Sequence, residues 1–244
     1  MAVSYAQAGA AQLFLTARSV VSLEDTKQAV AFANSCTHVL EYSLDLKNAV
    51  QAEQILQKIL QDANDKLDVL VTNAGVLETW RPFAETMPED WWGTWEVNVR
   101  GSYLAARAAT TSMLRNGRGG TIILVSSIGS LMAIPGGSSY QTTKLAINRL
   151  AEFIHNDHGA QGIRAFAMHP GGVRTDLALG LPQALHATLV DSPCLSGAMC
   201  VYLTSDRADY LLGRYVSCNW DVSELEARRQ DIAERDLLKM QLSV

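Results

Sequence analysis

Tyr140 and Lys144 stand four residues apart, and Ser127 precedes the tyrosine by thirteen. On an α-helix, side chains four apart project from one face, so the ammonium lies close to the phenol. A free phenol ionises near pH 10, and a neighbouring cation favours the phenolate and moves it toward the working range. The pair can therefore pass a proton at neutral pH. Ser127 ends the apolar run that starts at Thr121. The carboxyl end of a parallel strand is where open α/β sheets hold ligands, and a hydroxyl there can hold a substrate oxygen. Ser126 is the competing serine, because successive strand residues face opposite ways and only one of the two can face the site.

Elements able to position these residues alternate along the chain. Met1 to Ala10 ends in Gly9 and reads as the last turns of a helix with its C-cap. Gln12 to Arg18 reads as a buried strand, Leu23 to Ala33 as a helix, Thr37 to Asp45 as a strand and Asn48 to Ala63 as a helix. Leu67 to Gly75 is a nearly continuous apolar run, the pattern of a parallel strand covered on both faces. Thr86-Met87-Pro88-Glu89 has the form of a capping box, opening a helix that carries Trp91, Trp92, Trp95 and Asn98. Ile163 to Gly172 reads as a strand leading into a Pro-Gly turn, and 171–192 as an irregular, leucine-bearing loop of the kind that closes over a ligand. Arg214 to Asp221 then reads as a strand with its following loop, and Glu224 to Leu238 as a terminal amphipathic helix. The alternation implies an α/β fold with a doubly wound parallel sheet in three α/β/α layers, a single domain over 1–244.

Composition agrees with that class: 48% of the 244 residues are hydrophobic and 18% charged, enough apolar material for one sizeable core. A net charge of -5 and no basic run argue against a nucleic-acid partner. No apolar run approaches the roughly 20 residues of a membrane span. Cys36, Cys194, Cys200 and Cys218 lack metal-type spacing and read as reduced thiols of a cytoplasmic protein, and no metal site is expected. His155 and His158 read as a solvated helix end.

A serine, then Tyr-x-x-x-Lys on the next helix, resembles the active site of the short-chain dehydrogenases/reductases. The resemblance extends to Asn73-Ala74-Gly75 after a strand, to Asn98, and to Pro170-Gly171 followed by Thr175, while the segment from Arg214 to Met240 is similar to the tails of fungal members. It implies a Rossmann fold and an NADP(H)-dependent interconversion of ketone and secondary alcohol. Tyr140 is then the acid/base, Lys144 lowers its pKa and holds the nicotinamide ribose, Ser127 orients the substrate oxygen, and Asn98 holds a proton-relaying water. The family's thirteen-residue interval favours Ser127 over Ser126. For the cofactor, Thr16-Ala17-Arg18 resembles the NADPH-preferring branch, since a guanidinium pairs well with a 2′-phosphate. Asp45 and Leu46 would contact adenine, Asn73, Ala74 and Gly75 would wall the sugar side, and Pro170, Val173 and Thr175 would lie at the carboxamide. The resemblance further implies a homodimer or homotetramer, and the apolar residues Leu131, Met132, Ile134, Leu177 and Leu181 point to a hydrophobic ketone or alcohol.

One departure stands out. The family's glycine-rich turn, and the mid-sheet strand before it, have no counterpart ahead of Gln12. Those glycines let a pyrophosphate approach backbone N–H groups at a helix N-terminus. The expectation is an N-terminally incomplete chain or a misplaced start, the alternative being a catalytically idle nucleotide-binding or scaffolding homologue.

Overall fold

The computed structural model describes residues 1–242. Its first half runs α1 (Ala2–Gln7), β1 (Gln12–Ala17), α2 (Glu24–Ala33), β2 (His38–Ser43), α3 (Ala49–Asp62), β3 (Val69–Thr72), α4 (Pro88–Trp95) and α5 (Ser102–Asn116). There follow β4 (Gly120–Val125), α6 (Ser138–His158), β5 (Ile163–His169), α7 (Asp176–Leu179), α8 (Pro193–Leu203), β6 (Tyr215–Ser217), α9 (Val222–Ala227) and α10 (Arg229–Glu234). Every ladder is parallel: β1 pairs with β2, and β3, β4, β5 and β6 pair in that order.

The layers follow from the two-residue period of a strand. Ile122 and Leu124 of β4 pack with Ala106, Ala109 and Met113 of α5 and with Ile147, Ala151 and Ile154 of α6. Ile123 and Val125, turned the other way, pack with Met199, Cys200 and Leu203 of α8 and with Leu225 and Ile232 of α9 and α10. Sheet residues facing both ways are thus covered by helices, which gives the three-layer α/β/α arrangement. None of the helices among the described residues is long and apolar enough to cross a membrane.

Between β1 and β3 the ladder is interrupted. Leu13 and Leu15 of β1 and Val69 and Val71 of β3 line a cleft of about 1990 Å³ that continues to the carboxyl ends of the strands. Both strands are only partly buried, whereas β4 and β5 are buried almost throughout. The run from Leu67 to Gly75 therefore gives a four-residue strand at an edge, not one covered on every side. Helix α1 spans the two sheets on one side. The Asn34 side-chain amide donates to the Ala6 carbonyl (2.9 Å), Thr37 Oγ1 donates to the Ala10 carbonyl (2.7 Å), and the Tyr5 hydroxyl donates to the Cys200 carbonyl (3.2 Å).

Four local expectations change. The Thr86 hydroxyl donates back to the Phe83 carbonyl (2.9 Å) instead of capping α4, whose N-cap is Met87 with Pro88 in the first turn. The terminal helix is two helices, separated at Arg228, whose N–H is shared between the Glu224 and Leu225 carbonyls. The 171–192 loop contains α7 and a 3₁₀ segment, Gln183–Thr188. His155 is packed against Gly159 and Gly213 instead of solvated.

Candidate active site

The end of β4 separates the two serines. Ser126 is buried, and its hydroxyl donates into the interior, to the Lys144 carbonyl (3.1 Å) and to Asn148 Oδ1. Asn148 in turn donates to Ser130 Oγ (2.9 Å), so β4, the following turn and α6 are fastened together. Ser127 is less deeply buried and lines the cleft, and its hydroxyl stands outside that network. Its Oγ accepts from the Gly129 N–H (3.1 Å), which leaves its own proton to donate toward Tyr140.

Tyr140 enters the same cleft from the first turn of α6. Its phenol has a raised pKa, chiefly because burial disfavours the phenolate; the Ser127 hydroxyl, hydrogen-bonded to it, pulls the value down, and the Glu78 charge pushes it up. Lys144 Nζ lies 5.6 Å from the centre of the Tyr140 ring. The ammonium is buried and donates to the Val125 carbonyl (2.8 Å), and burial lowers its pKa to about 8. In the chain alone, burial dominates and the phenol's pKa is raised, not lowered as expected from the neighbouring lysine, which leaves the phenol protonated at neutral pH.

Asn98 sits in a π-helical turn, Glu96–Gly101, that joins α4 to α5. Such turns displace backbone groups from the regular helical ladder and recur at functional sites. The side chain, 1% exposed, accepts from the Val76 N–H (2.8 Å) and donates to the Val76 carbonyl (3.0 Å) and to Thr143 Oγ1 (3.1 Å). It ties the segment after Gly75 to α6.

The residues expected at the cofactor fall in two groups. Asn73, Ala74, Gly75, Leu46, Pro170, Val173 and Thr175 line the cleft beside Lys144. Gly75 lies beside Asn98 and Lys144: a Cβ placed on it would stand 3.4 Å from Asn98 Oδ1 and 3.7 Å from Lys144 Nζ, in ordinary contact with both. Thr175 Oγ1 accepts from the Ala178 N–H (3.2 Å) and caps α7. Arg18 and Asp45 lie further out, at the ends of β1 and β2. Arg18 is exposed, its carbonyl accepting from Ser43 Oγ (3.0 Å), and Asp45 Oδ1 accepts from the Lys47 N–H (2.9 Å).

Two residues with no local sequence signal support the site. Glu78, 3% exposed, accepts from the Ser139 N–H (2.8 Å) and the Tyr140 N–H (2.9 Å) at the start of α6. His169 at the end of β5 accepts through Nδ1 from the Ile128 N–H (3.1 Å), just after Ser127. Burial lowers its pKa to about 4, which keeps Nδ1 unprotonated and able to accept. No cluster of three or more metal-binding side chains occurs among the described residues.

Known proteins are similar to this chain in sequence and fold. The family model described as short chain dehydrogenase matches residues 1–185. A short chain dehydrogenase of Monascus purpureus is 45% identical over 245 residues, 99% of this chain and 83% of the relative. Among solved structures, a putative short-chain alcohol dehydrogenase from Sinorhizobium meliloti superposes with a TM-score of 0.80 at 24% identity, covering 89% of this chain and 88% of that one. An NAD⁺-bound xylitol dehydrogenase (TM-score 0.78, 19% identity, 88% of this chain and 90% of that one) shares the fold. So does a gluconate 5-dehydrogenase from Burkholderia cenocepacia with NADP and tartrate (TM-score 0.75, 23% identity, 88% and 86%). With a serine, a tyrosine and a lysine converging at the carboxyl ends of parallel strands, and with relatives of this similarity over almost its whole length, the chain belongs to the short-chain dehydrogenase/reductase family of oxidoreductases.

Proposed function

We propose that this oxidoreductase interconverts a ketone and a secondary alcohol with NADP(H), Tyr140 serving as acid/base. The observation that carries the reading is the convergence of a protonated phenol, a hydroxyl placed to donate a hydrogen bond and a buried ammonium in one apolar cleft. A bound nicotinamide cofactor supplies or accepts the hydride. Reduction leaves negative charge on the carbonyl oxygen, which needs a proton donor beside it and a hydrogen bond to hold it. Tyr140, kept protonated by burial, donates the proton, and Ser127 donates the orienting hydrogen bond. The Lys144 cation stabilises the phenolate that remains. Leu177, Leu181, Met132 and Ile134 line the mouth of the cleft, which supports a hydrophobic substrate.

The residues of the cleft fit the cofactor. At the nicotinamide end, Lys144 Nζ spends one of its three donors on Val125, leaving others for ribose hydroxyls. Arg18, exposed and cationic, supports a 2′-phosphate and hence NADP(H). The second reading is a catalytically idle nucleotide-binding or scaffolding homologue. Exposed apolar side chains on α4, α5 and α6, with Trp92 at 60% and Phe153 at 58%, support a homodimer or homotetramer through these helices. The two functional readings separate in one assay. Purified protein is given NADPH and a panel of hydrophobic ketones, with NADPH binding followed by fluorescence. Ketone-dependent oxidation of NADPH supports the first reading, and absence of turnover, with or without NADPH binding, supports the second.

A further inference from the structure

Helix α6 begins without a cap of its own. Its N-cap is Gly137, with no side-chain hydrogen bond there and no acidic residue in the first turn. The first N–H groups of a helix have no partner within the helix, and the positive end of the helix dipole adds to their demand for an anion. Here the anion comes from 61 and 62 residues away in sequence. Glu78 Oε1 accepts from the Ser139 N–H (2.8 Å) and the Tyr140 N–H (3.1 Å), and Oε2 accepts again from the Tyr140 N–H (2.9 Å). The carboxylate is 3% exposed, so these contacts are made away from water, where they are stronger.

The segment around Glu78 is itself held at both ends. Val76 exchanges two hydrogen bonds with Asn98, and the Thr79 N–H donates to Asp90 Oδ2 of α4 (2.7 Å). Trp80 Nε1 donates to the Pro135 carbonyl (2.7 Å), and the Arg81 N–H donates to the Gly136 carbonyl (3.0 Å). The Trp80 indole lies so close over Gly136 and Gly137 that a Cβ at either glycine would run into the ring. Residues 76–81 thus clamp the turn that leads into α6.

We propose that Glu78 is a positioning residue of the active site: its buried carboxylate anchors the first turn of α6, fixing where the Tyr140 phenol stands, and its negative charge acts on that phenol. The proposal rests on the proposed role of Tyr140 for its catalytic consequence, but not for its electrostatic one. Groups facing the phenol are the Ser127 hydroxyl, the Lys144 ammonium and Glu78 itself; Asp90 of α4 is engaged by Thr79, and His169 behind Ile128 is neutral. Removing the Glu78 charge leaves Lys144 as the facing ion, which favours the phenolate.

The test titrates the Tyr140 phenol directly, by carbon NMR of protein labelled at the tyrosine ring Cζ, with Tyr140→Phe identifying the resonance. Glu78→Gln retains an oxygen acceptor for the α6 N–H groups and loses the charge. It is expected to lower the Tyr140 pKa by at least about 0.3 unit, a factor of two in acidity. Glu78→Ala, which removes both, is expected to lower kcat about tenfold or more, with the NADPH Kd changed less than threefold. A Tyr140 titration unmoved in Glu78→Gln, or a kcat unmoved in Glu78→Ala, overturns the proposal. If the wild-type protein shows no turnover while the phenol still shifts in Glu78→Gln, the proposed reaction fails and the electrostatic role of Glu78 stands. Should Glu78→Ala not fold, the Glu78→Gln titration decides alone.

Discussion

Replacing Asn98 with alanine separates a structural tie from a proton relay. The side chain makes three hydrogen bonds in a site 1% exposed, to both backbone groups of Val76 and to the Thr143 hydroxyl. Alanine leaves all three partners without it, and a buried polar group left unsatisfied costs about 1–3 kcal/mol. Val76 is only half-buried and can recover part of its loss from water, and the buried Thr143 hydroxyl keeps its bond to the Tyr140 carbonyl, so the lower figure applies to each group and the whole is about 3 kcal/mol. For a chain of this size a loss of 1 kcal/mol lowers Tm by about 2–4 °C, which gives a drop of about 6–12 °C. Asn98→Asp should fall at least as far. Its carboxylate keeps an acceptor for the Val76 N–H but sets a second oxygen against the Val76 carbonyl, where the wild-type amide donates. Differential scanning calorimetry of the three proteins measures this, with NADPH-dependent turnover recorded in parallel. A Tm within about 2 °C of wild type, accompanied by lost turnover, would refute the reasoning, because Asn98 would then act only through the chemistry and not as the tie between 76–81 and α6.

Lys144 sets the alkaline limit. Its folded pKa, about 8, lies below the ordinary lysine value of 10.5, so the cation that stabilises the phenolate is present below about pH 8 and lost as pH rises through it. kcat/KM for ketone reduction should fall above about pH 8 in the wild type, and Lys144→Arg should carry the limb beyond pH 10; a limb that does not move belongs to another group. Arg18→Asp should shift the preference from NADPH toward NADH by about tenfold or more, roughly 1.4 kcal/mol, and an unchanged ratio would show the exposed guanidinium to be only solvated. Light scattering at micromolar concentration should give at least a dimer, through an interface above about 1,000 Å², and Phe153→Glu should weaken it. A wild-type monomer would exclude the α4–α6 interface.

Much of this site was legible because its signals are local. Tyr140 and Lys144 follow from helical spacing; strand alternation narrows Ser126 and Ser127 to one, the thirteen-residue interval before Tyr140 favours Ser127, and Ser126 is engaged in the interior with Asn148. Alternation of strand and helix likewise carried the three layers. Glu78 was not legible, since its partners lie 61 and 62 residues onward and no pattern near it distinguishes a buried anchor from a surface acid. His169 was hidden in the same way, its partner Ile128 being 41 residues back. The Thr86 capping pattern misled because a threonine hydroxyl donates as readily to a nearby carbonyl as it accepts from a helix N–H, and here the Phe83 carbonyl took it. The break at Arg228 was also missed, since the charged and apolar residues keep helical spacing across it.

The central claim is that Tyr140 delivers and removes the proton. Tyr140→Phe deletes one hydroxyl and leaves the aromatic ring and the rest of the cleft in place. The measurement is ketone-dependent NADPH oxidation by wild type and Tyr140→Phe at pH 7, alongside an NADPH titration of each. The account predicts turnover in the wild type, a loss of at least about 100-fold in kcat for the variant, in line with general acid catalysis, and NADPH affinity within a few-fold of wild type. Turnover retained within tenfold in Tyr140→Phe would contradict it.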